Sequence, residues 1–238
     1  MVRGLMFGWP PNRRAARANL RRILAHQGRP AADGDVSPLL DESLTLYSRF
    51  LLFMAGHPDE LAASRERMDL PLLPTLKALG GEKRGVILVT PNYGLVGHAL
   101  SALTDIGIPV NLPILNRAFL SHHDPVVYSR IRTVGSSAAA CLRGLAAGEV
   151  VATIADINFL PRRITTAFFG APAPVGYAAA RLAQSSGAPI LPVYATADGE
   201  RCRFECDEPL RPDGKTLAEL HAAVAGSMER FIGRRPGQ

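Results

Sequence analysis

Apolar positions along the chain alternate between a helical period and short uninterrupted runs, and that alternation sets the expected architecture. Ala16, Leu20, Ile23 and Leu24 recur at helical spacing with arginines on the opposite face, which predicts an amphipathic helix opening at Asn12 and ending near Gly28. Pro30 to Val36 reads as a polar linker. Ser37-Pro38 then reads as a cap followed by proline at the first helical position, opening a helix carrying Leu40, Leu44, Tyr47, Leu51 and Met54. Met68–Leu79 reads as helical. Gly85 to Thr90 is a short β-branched run closed by Pro91, the pattern of a strand buried on both faces. A helix over Leu95–Ile106 and a strand over Ile108–Leu115 complete a β-turn-α-β unit.

Beyond Leu115 the spacing predicts helices at Pro125–Thr133, Ser136–Ala147, Val175–Ser186 and Thr216–Ile232. Strands are expected at Val150–Ala155, Thr165–Phe169, Pro189–Tyr194 and Arg201–Cys206. The expectation is a single α/β domain over 1–238, with N-terminal helices over 1–60 and an α/β core over 80–238. Its central sheet would be mostly parallel and flanked by helices. Ligands in such sheets bind where loops leave the carboxyl ends of the strands, which singles out Thr90–Gly94 and Ala155–Arg163.

Composition narrows the class. Apolar residues are 47% of the 238 and charged ones 20%, enough to bury an ordinary core. No run approaches the roughly 18 apolar residues of a membrane span, and Met1 to Pro10 lacks the form of a secretory signal, so a cytoplasmic location is expected. The three cysteines, Cys141, Cys202 and Cys206, have no disulfide or metal-ligand spacing and read as reduced, packed thiols; no metal is expected. Lys+Arg of 27 against Asp+Glu of 21 leaves a net +6, and Arg13, Arg14, Arg17, Arg21 and Arg22 gather near the N-terminus. Such a cluster suits an anionic partner or a solvated helix face. With 6% aromatics and no nucleic-acid-binding motif, nucleic acid is set aside.

Four segments in order carry a resemblance: Gly85 to Gly94, Arg130-Ile131-Arg132 with Gly135, Ala155-Asp156, and Phe168-Phe169-Gly170-Ala171-Pro172-Ala173. Together they resemble the lipid A biosynthesis (lauroyl/myristoyl) acyltransferase branch of the lysophospholipid acyltransferase superfamily, from about Arg13 to about Ile232. The resemblance implies a glycerol-3-phosphate/lysophospholipid acyltransferase-like α/β fold. It also implies transfer of an acyl group from an acyl carrier protein or coenzyme A thioester to a hydroxyl. No bound cofactor is implied; the acyl-phosphopantetheine thioester is a co-substrate. By position, Asn92, His98 and Asp156 are the candidate catalytic residues. Tyr93, Arg130, Arg132, Arg162, Phe169 and Gly170 are the candidate substrate contacts, the arginines for a phosphate.

The chain departs from the family at the signature itself. A histidine and, five positions later, an acid are replaced by Asn92 and Gly97. In that pairing the histidine takes the proton of the attacking hydroxyl while the acid orients it, an arrangement worth about 10²–10⁴-fold in rate. An amide cannot act as a base, although it can donate to a developing oxyanion. Three readings stay open. The acceptor is an amine, whose lone pair is already free when its pKa is near or below about 8. Alternatively a relocated base serves, His98 or the His122-His123-Asp124 cluster, although His98 is rotated about 100° from Gly97 on a helix. Or the chain is a non-catalytic acyl- or carrier-binding relative. The family's apolar N-terminal span is also missing, which favours a small or carrier-tethered acceptor in specialised metabolite or lipid assembly, an acyl carrier protein as partner, and at most peripheral contact with the inner membrane.

Overall fold

A computed structural model describes residues 10–113, 132–134, 137–156 and 164–238. Three helices come first: α1 (Pro10–His26), α2 (Asp33–Met54) and α3 (Pro58–Glu66). Next come β1 (Met68–Asp69), α4 (Leu73–Gly80), β2 (Val86–Thr90), α5 (Val96–Asp105), β3 (Val110–Leu112) and β4 (Arg132–Thr133). The chain continues as α6 (Ala138–Ala146), β5 (Val150–Ile154), β6 (Ile164–Phe168), β7 (Ala171–Val175), α7 (Ala178–Ser186), β8 (Ile190–Asp198), β9 (Arg201–Cys206) and α8 (Leu217–Arg234). The fold is α/β. Its main sheet has the order β1-β9-β8-β2-β5-β3-β4, parallel from β8 to β4, with β9 antiparallel to β8.

Strand β2 lies at the centre and every residue of it is buried. Because side chains alternate along a strand, Ile87 and Val89 face α6, α7 and α8, whereas Val86 and Leu88 face α4 and α5. This double burial is why β2 reads as a continuous apolar run. The N-terminal helices form a smaller core of their own, in which Leu20 and Leu24 of α1 pack on Val36, Leu40 and Leu44 of α2. Among the described residues no helix is long and apolar enough to cross a membrane.

Several expected boundaries move. Helix α1 begins at Pro10 rather than at a cap on Asn12. Helix α2 starts at Asp33, one turn before Ser37-Pro38, and runs through Pro38. Its first turn carries Asp33 and Asp35, whose charge suits a helix N-terminus; Asp35 accepts the Ala32 N–H at 3.1 Å, and Asp33 pairs with Arg17 and Arg21 of α1. Met68–Leu79 is not one helix. Pro71 disfavours helical backbone at Leu70, so the chain first pairs Met68 and Asp69 with β9 and turns helical only at Leu73.

Residues 125–131 lie outside the described residues, and Arg132-Thr133, expected to end a helix, form a short strand beside β3. Strand β7 is unforeseen, because Ala171-Pro172-Ala173-Pro174-Val175 looks unable to support a ladder. The prolines are two residues apart and so occupy one kind of pair in an antiparallel hairpin with β6, where no N–H is required.

Candidate functional site at the carboxyl ends of β2 and β5

Strands β2 and β5 run in parallel with Thr90 opposite Ile154, and the Ala155 N–H donates to the Thr90 carbonyl at 2.8 Å. Two residues beyond those paired ends on each strand stand Asn92 and Asp156. The register therefore brings them to the same level, and the Asn92 backbone N–H donates to Asp156 Oδ1 at 2.8 Å. Both residues are exposed at the mouth of the sheet. Even so, the protein packed round the Asp156 carboxyl raises its pKa, an effect that hydrogen bonds from the Asn92 and Asp156 backbone oppose without cancelling. Since the Asn92 bond uses the main chain, its carboxamide makes no hydrogen bond to other described residues.

The turn that presents Asn92 is tightly built. Gly94 has φ +58° and lies against β8, where a Cβ would run into the Ala195 carbonyl. Tyr93 points the other way from Asn92, into the core, and its hydroxyl donates to the Arg235 carbonyl at 2.7 Å. Burial raises its pKa, so the phenol stays protonated and committed to that bond.

His98 and Gly97 turn away from this mouth. His98 has no exposed surface; its ring stacks on Phe53 of α2 with centroids 4.1 Å apart, and Nε2 lies 3.0 Å from Glu60 Oε2 of α3. A carboxylate only accepts, so Nε2 carries the proton and Nδ1 is left as a lone pair without a hydrogen-bond partner among the described residues. Burial lowers the His98 pKa and the neighbouring Glu60 opposes that shift. Glu60 also accepts from Arg49 Nε at 3.1 and 3.2 Å. Burial alone would raise the Glu60 pKa, but the bonds from His98 and Arg49 outweigh it, leaving it lowered. At Gly97 a Cβ would come within 3.1 Å of Phe50 and 3.2 Å of Phe53. Aromatic rings fill the space beside Gly97.

Phe169 and Gly170 form the turn of the β6–β7 hairpin, with φ of +47° and +71°. At the base of that hairpin the Gly176 N–H donates to the Ala155 carbonyl at 2.5 Å, one residue from Asp156. The tip lies four residue steps farther along, about 14 Å on. There Phe169 stands edge-on to His26 of α1, and its N–H donates to Glu229 of α8. The base borders the mouth and the Phe-Gly turn does not. Arg130, Arg162, Arg163 and residues 122–124 lie outside the described residues, as does the side chain of Arg132.

Glu60 and Arg49 were absent from the sequence reading. No local signal announces them, because each meets its partner only through the tertiary fold, Glu60 being 38 positions from His98. Among the described residues no group of three or more His, Cys, Asp or Glu side chains could hold a metal. Cys141 and Cys202 are buried thiols whose pKa values are raised by desolvation. A shallow depression of about 470 Å³ involving Arg181, Gln184, Asp213 and Lys215 lies at the opposite, amino end of the sheet. No protein-family model matches the chain, and no curated protein matches it in sequence.

Proposed function

We propose that the chain is an acyltransferase with the fold of the lysophospholipid acyltransferase superfamily, moving an acyl group from a phosphopantetheine thioester to an amine. The observation that carries this reading is the Asn92–Asp156 pair, held at 2.8 Å where the two central parallel strands end. The amine nitrogen attacks the thioester carbonyl with its own lone pair, and the untied Asn92 carboxamide donates to the oxyanion that forms. Collapse of that intermediate breaks the C–S bond and leaves an amide. Asp156, with its pKa raised, accepts the proton shed by the nitrogen and passes it to the departing thiolate. Exposed Arg13, Arg14 and Arg22 on α1 offer an anionic acyl carrier protein an electrostatic approach that salt would weaken.

The enclosure of His98 and the filling of the Gly97 position favour one other reading, an acyl- or carrier-binding module without turnover. Incubation with acyl-carrier-protein or acyl-CoA thioesters and amine acceptors separates the two. Transfer releases free thiol faster than a heat-killed control, and Asn92→Ala lowers that rate on the order of a hundredfold while leaving the unfolding midpoint in place. Thioester binding without thiol release selects the binding module. An Asn92→Ala variant with full turnover removes Asn92 from the chemistry.

A further inference from the structure

Residues 233–238, which end α8 and follow it, stitch together four separate parts of the molecule. The Gly233 carbonyl accepts from Gln27 Nε2 of the segment after α1 at 2.7 Å, and the Gly237 carbonyl accepts from Ser43 Oγ of α2 at 2.8 Å. Gln238 reaches in two directions: Oε1 accepts the Ala197 N–H of β8 at 2.6 Å, and Nε2 donates to Glu42 of α2. Between these anchors the Arg235 carbonyl receives the Tyr93 hydroxyl, while Pro236 and Gly237 are buried. The segment thus spans the gap between α2 and the carboxyl end of β8, directly behind the turn that carries Asn92.

We propose that residues 235–238 act as a strap that fixes the 91–95 turn, with Tyr93 as the positioning residue through which the strap sets the direction of Asn92. Asn92 is exposed and Tyr93 beside it is buried, so drawing the Tyr93 ring inward leaves the Asn92 carboxamide on the mouth side of the turn. Asp156 holds the turn from the β5 side and Ala195 meets it at Gly94. The Tyr93–Arg235 bond is a third anchor, and of the three it lies farthest in sequence, 142 positions away. Without its donor, the part-buried Arg235 carbonyl loses its partner and the turn loses its inner attachment. The catalytic consequence rests on the acyl-transfer reading; the ordering of the turn does not.

Native-state amide exchange followed by NMR in the full chain, with no donor or acceptor present, tests the strap directly. Tyr93→Phe and, separately, Gln238→Ala are expected to speed exchange of the Asn92 amide on the order of tenfold, with the 178–186 amides of α7 unchanged. Deleting residues 235–238 is expected to do the same more strongly. If the deletion fails to fold, the two point variants decide. Unchanged Asn92 exchange in both point variants overturns the proposal, and so does a rise that extends equally to α7, because that reports global loosening. Thiol release is measured alongside: in an active enzyme Tyr93→Phe lowers kcat with KM preserved. A wild type without turnover defeats the transfer reading and leaves the exchange result to judge the strap alone.

Discussion

Two polar assemblies flank the first turn of α5, and they are built on opposite principles. At the mouth, Asp156 and Asn92 meet through one main-chain bond, both residues exposed, with the Asn92 carboxamide bonded to no other described residue and the pKa of the Asp156 carboxyl raised by its surroundings. Behind α5, the ring of His98 is enclosed, Glu60 is 13% and Arg49 17% exposed in their side chains, and the Glu60 carboxylate is lowered by two donors. The enclosed assembly joins α2, α3 and α5, and its satisfied carboxylate makes it a structural clamp. The open one retains unused hydrogen-bonding capacity and a carboxylate disfavoured in its charged form, the condition in which a group can act on something else. The fold encloses the imidazole of His98 in the clamp and places Asn92 at the mouth, so a histidine close in sequence supplies no base there.

The sharpest way to break the contrast is to place an acid at position 97. Gly97→Asp puts a carboxylate against Phe50 and Phe53, where even a Cβ comes within 3.1 Å of a ring carbon. Overpacking and an unpaired charge together are expected to cost about 3–5 kcal/mol, read as a lowered urea midpoint. The double variant Asn92→His with Gly97→Asp should share that loss and gain no thiol release. A double variant as stable as the wild type would mean that the space behind α5 is not closed.

A smaller effect separates the clamp's titration from its packing. The folded-state pKa of His98 is lowered, so below its ordinary value of 6.5 the unfolded chain takes up a proton that the folded chain refuses. Stability is therefore full above pH 6.5 and falls as the pH drops through the lowered value, with a slope of at most about 1.4 kcal/mol per pH unit. Glu60, also lowered, loses its contribution in a second and more acid window, below 4.5. His98→Gln keeps a donor toward Glu60 and removes the first window alone. Urea midpoints between pH 7.5 and 5 should then run flat in the variant and slope in the wild type; parallel curves would remove His98 as the source.

How much of this was legible in the sequence follows the same division. Asn92 and Asp156 stand just past two buried apolar runs, and parallel pairing in register is enough to bring such positions together, so their meeting could be anticipated. The alternation that predicted β2, α5, β5, α6 and α8 reflects local burial and survives in the structure within a few residues. The surroundings of His98 depend on Arg49 and Glu60, placed by helices whose spacing says nothing about which side of α5 they cover. The β7 prolines misled for a related reason, since an edge strand tolerates at alternate positions what an inner strand would not. Phe169 and Gly170 entered as candidates through the resemblance alone, and the hairpin sets their turn a strand's length from the Asn92–Asp156 pair.

The smallest expected change bears on the open assembly. Asp156→Asn keeps a side-chain oxygen that can accept the Asn92 N–H and removes only the ionisable proton. Because burial holds the folded carboxyl above its ordinary value of 3.8, the wild type loses stability as the pH rises from about that value through the raised one, and the variant does not. Urea midpoints for the two should coincide near pH 3, with the variant equal or slightly higher at pH 7. Thiol release should fall all the same, since an amide cannot receive the proton leaving the attacking nitrogen. A variant less stable than the wild type at pH 7 would show Asp156 to be a clamp like Glu60, its charge held in place for the fold, and the distinction between the two assemblies would collapse.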